Sequence, residues 1–330
     1  MNNVTDPQIR YSIVIPAYNE ASNIKRLVTS INRAKGQRSD VEITLVDNQS
    51  TDNTRAIAVE MGLDVVDAQR VKISALRNMG GMNAKGEIIL FLDADMEVPE
   101  NWFQLIEEYF DKKNVDALGF VEKIPEEAGW FARVWSQRTA ARRDNAMKVD
   151  FLPGRNICVR KAYFDKVQGF DTELTTGEDK DFVLRLSDAG AQVWSIPNEN
   201  MYHWGYERSL AELLRKEFWR QSSHVDLLRK QGLSLRLLRF PVISVLHWLL
   251  AVWFLLCVLQ GNVSQAAGVA VVWFLPALVM TLAKPLSRTN VTAIMQFSFL
   301  YWLRFHVAGL SVLRSLYLLQ KNRAKQESTS

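Results

Sequence analysis

Glu87-Ile88-Ile89-Leu90-Phe91-Leu92-Asp93-Ala94-Asp95 reads as a buried strand that ends in two carboxylates one residue apart. Carboxylates are hard oxygen ligands that suit Mg²⁺ or Mn²⁺, and such a metal commonly also holds substrate phosphates. In an open parallel sheet, ligands bind beyond the carboxyl ends of the strands. An Asp-x-Asp at such an end therefore reads as a metal–diphosphate site. On three residues alone a solvated turn is the better reading, so the surrounding elements have to decide.

Upstream, strand and helix patterns alternate. Residues 11–15 form a compact β run, and residues 21–34 carry helical periodicity through Ile24, Leu27, Val28 and Ile31. A second strand is predicted over 41–46, a second helix over 54–61, a short strand over 63–66 and a helix over 73–83. This β-α-β-α order predicts an α/β fold with a mostly parallel sheet and nucleotide-binding geometry. Neither Gly-x-Gly-x-x-Gly nor a phosphate loop ending in Gly-Lys-Ser/Thr occurs, so the usual dinucleotide and NTPase signatures are missing.

The chain has 330 residues, 48 % of them hydrophobic, with a formal net charge of +4. That is ample for a sizeable core, and so mild a basic excess calls for no nucleic-acid partner. Cys158 and Cys257 are far apart in unlike settings, which provides no disulfide framework or cysteine-rich zinc site. The polar start, with Pro7, does not read as a cleavable secretory signal.

After residue 235 the chain changes character. Residues 240–260 and 263–283 carry no charge, and each is long enough as a helix to cross a bilayer core. They read as a transmembrane hairpin. Arg229, Lys230, Arg236 and Arg239 precede it, Lys284 and Arg288 follow it, and the Gly261-Asn262 turn has no basic residue. That asymmetry predicts a cytoplasmic N-terminal domain and a multi-pass plasma (inner) membrane protein. Residues 291–319 differ, because they contain Arg304, His306 and Arg314. An amphipathic helix is expected, lying in the interface with Arg304 reaching the headgroups or packed against the N-terminal domain, or else a third span, followed by a polar tail.

Several motifs together carry a resemblance. Ser12-Ile13-Val14-Ile15-Pro16-Ala17-Tyr18-Asn19-Glu20, Val46-Asp47-Asn48-Gln49-Ser50-Thr51-Asp52-Asn53-Thr54, Ser74-Ala75-Leu76-Arg77-Asn78-Met79-Gly80, Asp93-Ala94-Asp95 and Gly177-Glu178-Asp179-Lys180-Asp181 follow one another in order. They resemble the motifs of family-2 glycosyltransferases. The resemblance implies a GT-A type domain over 1–235, ahead of the hairpin (236–290) and the last segment (291–330). It also implies inverting transfer from a nucleotide-diphosphate sugar. Asp95 is implied as metal ligand, with Asp93 on ribose or a metal-bound water. Pro16, Ala17, Tyr18, Asn19, Glu20, Asp47, Arg77 and Asn78 are implied at the donor. Asp179 is implied as the base that removes the acceptor hydroxyl proton, with Glu178 positioning the acceptor. Asp52 and Ser50 read equally well as plain loop and helix caps, as Asp181 does at a helix start.

His203 reads evenly as a structural hydrogen-bonder or, by resemblance, as completing the metal site. Arg220 lies in a basic-aromatic segment resembling one that closes over donor phosphates, although the Gln-x-x-Arg-Trp motif of processive synthases is absent. Arg155 and Asn156 resemble the loop before the acceptor strand. The expected protein is a membrane-anchored transferase that uses Mg²⁺ or Mn²⁺. Its expected partners are a nucleotide sugar, a lipid-linked or glycan acceptor, and membrane lipid. The alternatives are a polyprenyl-phosphate sugar synthase and a non-catalytic scaffold subunit.

Overall fold

β1, Tyr11–Ala17, is buried at every residue, and so is β4, Ile88–Leu92. Each strand divides its side chains between two separate apolar clusters. Ile13, Ile15, Ile88, Leu90 and Leu92 join one, while Val14, Ile89 and Phe91 join the other. A strand that meets apolar cover on both faces needs a continuous apolar run, which is what the sequence supplies. On one face lies α1, Ile24–Lys35, which buries Ile24, Leu27, Val28 and Ile31 at helical spacing. The other cluster contains Phe164, Phe170 and Phe182, with Phe170 stacked on Phe182 at 4.1 Å and edge-on to Phe91 at 5.2 Å.

The computed structural model describes residues 8–137, 145–198, 200–221, 235–283 and 291–327. The chain forms two compact units, Met1–Pro125 with Arg142–Tyr206, and Glu126–Ala141 with Glu207–Ser330. In the first unit, β1 lies between β2, Val41–Asp47, and β4, both parallel to it. β3, Asp64–Asp67, extends the parallel set. Two helices complete these crossovers: α2, Thr54–Glu60, and α3, Ile73–Asn83. A two-residue strand, β5, Met96–Glu97, follows the Asp-x-Asp turn. The helix α4, Trp102–Glu107, then runs into a short π turn and leads to β6, Ala117–Phe120.

In the first unit β7, Met147–Lys148, β8, Asn156–Arg160, and β9, Val193–Ile196, complete an eight-stranded sheet ordered β3-β2-β1-β4-β8-β6-β9-β7. β8 runs antiparallel to both β4 and β6, whereas β6 and β9 are parallel. β10, Tyr202–His203, pairs antiparallel with β5 outside the main sheet. The helix α5, Trp130–Ser136, falls in the second unit. α6, Lys161–Lys166, and α7, Glu178–Asp188, belong to the first.

The second unit also contains α8, Leu210–Gln221, α9, Leu235–Leu259, α10, Val263–Leu282, and α11, Val291–Glu327. Among the described residues, Pro241–Leu259 and Val263–Leu282 are long and apolar enough to cross a bilayer. Both leave large apolar side chains exposed, Leu259 at 73 % and Val263 at 78 %. The flanking Arg229, Lys230, Lys284 and Arg288, and the side chains of Arg236 and Arg239, lie outside the described residues.

α11 departs from expectation in its polar stripe. Arg304 does not reach outward to headgroups; its Nε donates to Glu217 of α8 at 2.9 Å, and its guanidinium sits 5.3 Å from the Trp135 ring centre. Ser311 Oγ donates to the Phe218 carbonyl at 2.8 Å. Glu217 is 1 % exposed and needs cations around it, and α11 supplies one. Sequence spacing shows which residues share a face but not which helix that face meets.

The aromatic cluster under β4 gives a direct stability test. Phe91→Ala should cost about 3–5 kcal/mol by leaving a cavity among rings. Val59→Ala on the open face of α2 should stay within about 0.5 kcal/mol. Urea unfolding followed by tryptophan fluorescence compares the two.

Candidate active site

The parallel strands end in register. Ala17 pairs with Asp47, Val14 with Phe91, and Leu92 lies opposite Asn156 of β8. The loops after β1, β2, β4 and β6, and the loop before β8, therefore emerge at one edge of the sheet. Residues 17–20, 47–50, 93–95, 120–122 and 153–156 meet there.

Arg77 organises this edge. Its residue is 2 % exposed. Nη2 donates to Asp93 Oδ1 at 2.9 Å, and Nη1 donates to Glu178 Oε1 at 2.9 Å. The guanidinium also lies over the Phe170 ring. One cation from α3 thus ties the Asp-x-Asp turn to the first turn of α7, Arg77 itself lying 101 positions from Glu178 in sequence. Burial works against its charge, but Asp93 and Glu178 outweigh it and hold the proton more firmly than usual. Arg77, expected at the donor, directs Nη1 to Glu178 and Nη2 to Asp93.

α7 begins at Gly177, whose φ of 77° is left-handed, a conformation glycine adopts without strain. Glu178 and Asp179 fall in its first turn, where the helix dipole favours anions. Burial raises the Glu178 pKa, the Asp179 charge adds to the rise, and Arg77 opposes it. Asp179 is also raised by burial, against a backbone hydrogen bond from Gly154 and the charge of Arg77. Gly154 N–H donates to Asp179 Oδ2 at 3.1 Å. Asp181 pairs instead with Arg185 at 2.8 Å, the plain helix role expected for it.

Asp95 and His203 come together. His203 Nε2 lies 3.4 Å from Asp95 Oδ2, and the two side chains keep 17 % and 22 % exposure. The β5–β10 ladder places them, with His203 opposite Met96, and Trp204 N–H donates to the Asp95 carbonyl at 2.8 Å. A carboxylate oxygen and an imidazole nitrogen at the rim of the sheet form a donor set that suits Mn²⁺ or Mg²⁺, with further positions for oxygen ligands. Among the described residues no third His, Cys, Asp or Glu joins them in one cluster. Asp93 is committed to Arg77, which fits a second-rank role for it. Glu20 lies close by, its pKa raised by burial and then, against a hydrogen bond from Asn23, by the charges of Asp95 and Asp93.

The loop after β1 is tied to the loop after β2. Asn19, at φ 56°, takes a hydrogen bond from Thr51 N–H at 2.8 Å and donates its own N–H to Ser50 Oγ at 2.9 Å. Glu20 N–H donates to Thr54 Oγ1, and Ala21 N–H to Asp52 Oδ2. Asp52 and Ser50 therefore hold loops. Asp47 is 4 % exposed and receives the Ser50 N–H. Pro16 and Ala17 are buried at the strand end, whereas Tyr18 is 45 % exposed with Arg70 over its ring.

Other expected contacts are used internally. The Asn78 amide exchanges two 2.8 Å hydrogen bonds with the Phe170 backbone. Asn156, 1 % exposed, exchanges bonds with the Phe120 backbone and donates to Glu122 Oε1. These two amides clamp loops. Arg155 Nη2 donates to Glu122 Oε2 at 2.6 Å. Arg220 pairs with Glu207 and Glu217 in the second unit, each at 3.0 Å. Glu122 escaped the sequence reading. Its only signal was an acid just past an apolar run, Ala117–Phe120, at the height of the Asp-x-Asp turn.

Residues 12–167 match the pattern of the family described as "Glycosyl transferase family 2". The glycosyltransferase AglE of Haloferax volcanii is 26 % identical over 247 residues, covering 72 % of this chain and 79 % of that protein. The undecaprenyl-phosphate 4-deoxy-4-formamido-L-arabinose transferase of Proteus mirabilis is 27 % identical over 197 residues, covering 56 % of this chain and 57 % of that protein. The solved S. aureus TarS 1-349, in complex with UDP-GlcNAc, superposes with a TM-score of 0.53 at 20 % identity, covering 67 % of each chain. This likeness identifies the fold as GT-A.

Arg77→Met should strand two carboxylates and destabilise the first unit by about 3–5 kcal/mol at pH 7. The penalty should shrink as pH falls through the raised Glu178 pKa toward the ordinary 4.5, because protonation removes the charge left without its cation. Urea midpoints at pH 7 and pH 5 measure the difference; a constant penalty would mean that Glu178 does not carry it.

Proposed function

We propose that this chain, whose residues 12–167 match the pattern of glycosyl transferase family 2, performs inverting, metal-dependent transfer from a nucleotide-diphosphate sugar to a lipid-linked or glycan acceptor. The observation that carries this reading is the double ion pair of Arg77, which joins Asp93 and Glu178 within one site. Asp95 and His203 would hold the metal, with Asp93 behind them. When bound, Mg²⁺ or Mn²⁺ supplies Lewis-acid stabilisation of the charge on a departing nucleoside diphosphate.

The chain's own residues divide the remaining work. Glu178 is held by Arg77, so its oxygen is committed. Asp179 keeps partial exposure and a pKa raised toward that of a useful base, while the Gly154 N–H keeps its charged form accessible. It is the group that takes the acceptor hydroxyl proton as that oxygen attacks the sugar. The loops after β1 and β2, with Tyr18 exposed beside Arg70, would receive the nucleoside. A UDP-sugar is the first donor to try, since S. aureus TarS has been crystallised with UDP-GlcNAc.

The two apolar helices support anchoring in a membrane as a hairpin. The catalytic domain would lie on the cytoplasmic face of the plasma membrane. A polyprenyl-phosphate sugar synthase is the second reading, favoured by the relative that acts on undecaprenyl phosphate. Mass spectrometry of the lipid product separates the two. The intact Asp95 and Asp179 weigh against a non-catalytic scaffold.

Release of nucleoside diphosphate from a panel of nucleotide sugars, with membrane lipid extract and Mg²⁺ or Mn²⁺, tests the proposal. Asp95→Asn should abolish turnover with the fold intact, and EDTA should do the same to the unaltered protein. Full turnover in EDTA would refute the metal assignment. Asp179→Asn should bind nucleotide yet lose about 10²–10⁴-fold in rate, as removal of a general base does. For the membrane reading, a cysteine at Ser264, with Cys158 and Cys257 replaced, should react with an impermeant reagent outside intact cells, and one at Ser50 should not. The reverse pattern would invert the topology.

A further inference from the structure

Glu122 belongs to none of the recognised motifs, yet its side chain is only 11 % exposed and both oxygens are engaged. Its place is fixed on either side. Val121 N–H donates to Ile196, Lys123 N–H donates to Met201, and His203 N–H donates to Lys123. From that fixed point Glu122 grips two consecutive side chains, Arg155 at 2.6 Å and Asn156 at 2.8 Å. Burial works to raise its pKa, and the charge and hydrogen bond of Arg155 overcome this, so it stays ionised.

The backbone at and just before those grips meets the Asp-x-Asp turn and Asp179. Asp93 N–H donates to the Arg155 carbonyl at 3.0 Å, and Gly154 N–H donates to Asp179 Oδ2. A side chain at Gly154 would meet the Arg77 guanidinium at 2.7–2.9 Å. One short loop therefore sets the Asp-x-Asp turn, the carboxylate of Asp179 and the back of Arg77 at once. We propose that Glu122 is a positioning residue for glycosyl transfer, holding the Gly154–Asn156 loop so that Asp93 and Asp179 keep their catalytic geometry. The inference rests on the reading of Asp179 as base.

The expected consequence is directional. The groups facing Asp179 are Glu178 on its own helix, Arg77 from α3, Arg155 and the Gly154 amide. Of these Glu122 holds Arg155 directly, and through it the loop whose Gly154 amide meets Asp179. Loosening it removes a donor to the charged carboxylate, so the acid limb of the rate profile should move to higher pH. A misplacement of about 1 Å at such a site lowers rate by up to about 100-fold.

Hydrogen exchange on the full-length protein in detergent, read at the amides of Asp93 and Gly154, tests the placement without a substrate. In Glu122→Ala both amides should exchange at least about tenfold faster while the amides of β1 and β2 hold their protection. Glu122→Gln, which keeps the shape and a hydrogen-bonding oxygen, should stay within a few-fold. In the transfer assay Glu122→Ala should lose about 10- to 100-fold in kcat with donor KM little changed, and its acid limb should rise. Unchanged exchange at both amides would overturn the proposal. So would a uniform loss of protection in both variants, which would mark Glu122 as a general structural residue. Asp179→Asn assayed in parallel separates the failures: normal transfer there removes the base reading, while the exchange result still decides the role of Glu122.

Discussion

A guanidinium buried at 2 % exposure is the constraint on which the catalytic unit depends. An arginine removed from water is tolerated only when anions meet it with good geometry. The anions that meet Arg77 are Asp93 from the Asp-x-Asp turn and Glu178 from the start of α7. Satisfying the buried charge therefore assembles the site. The fold cannot close around Arg77 without drawing the end of β4 and the first turn of α7 together. Phe170 lies under the guanidinium, and Gly154 packs so close that a side chain there would strike it.

The division between neighbouring carboxylates follows from the same contact. Glu178 and Asp179 share a helix turn, a dipole and a low-dielectric setting, and burial raises both. They differ in partners. Glu178 faces a permanent cation, whereas Asp179 accepts backbone N–H groups from Gly154 and Lys180. A charge locked to arginine is a poor proton acceptor, and a carboxylate lightly held by amides is a better one. The second unit repeats the device in another setting, where buried Glu217 gathers Arg220 and Arg304 from two helices.

The strands were legible because their physics is local. Residues 11–15, 41–46 and 88–92 are apolar runs bounded by turn residues, and each became a strand close to its predicted limits. The two apolar helices were legible for the same reason. The meeting of Asp95 with His203 could be anticipated only from motif resemblance, since a β5–β10 ladder of two residues each leaves little trace in sequence. Arg77, Asn78 and Asn156 stand beside recognisable motifs, yet the partner each satisfies is remote in sequence, because buried polar groups must be paired and the pairing is tertiary. Glu122 and the Glu217 partner of Arg304 were hidden for that reason too. A single chain shows a charge without its complement.

The central claim is a single displacement driven by one available carboxylate, Asp179, set apart from Glu178 by Arg77. The stereochemistry of transfer tests it most directly. With a donor of known anomeric configuration, the anomeric proton coupling of the isolated product should report the opposite configuration. A product that retains the donor configuration would exclude a single back-side displacement and would contradict the assignment.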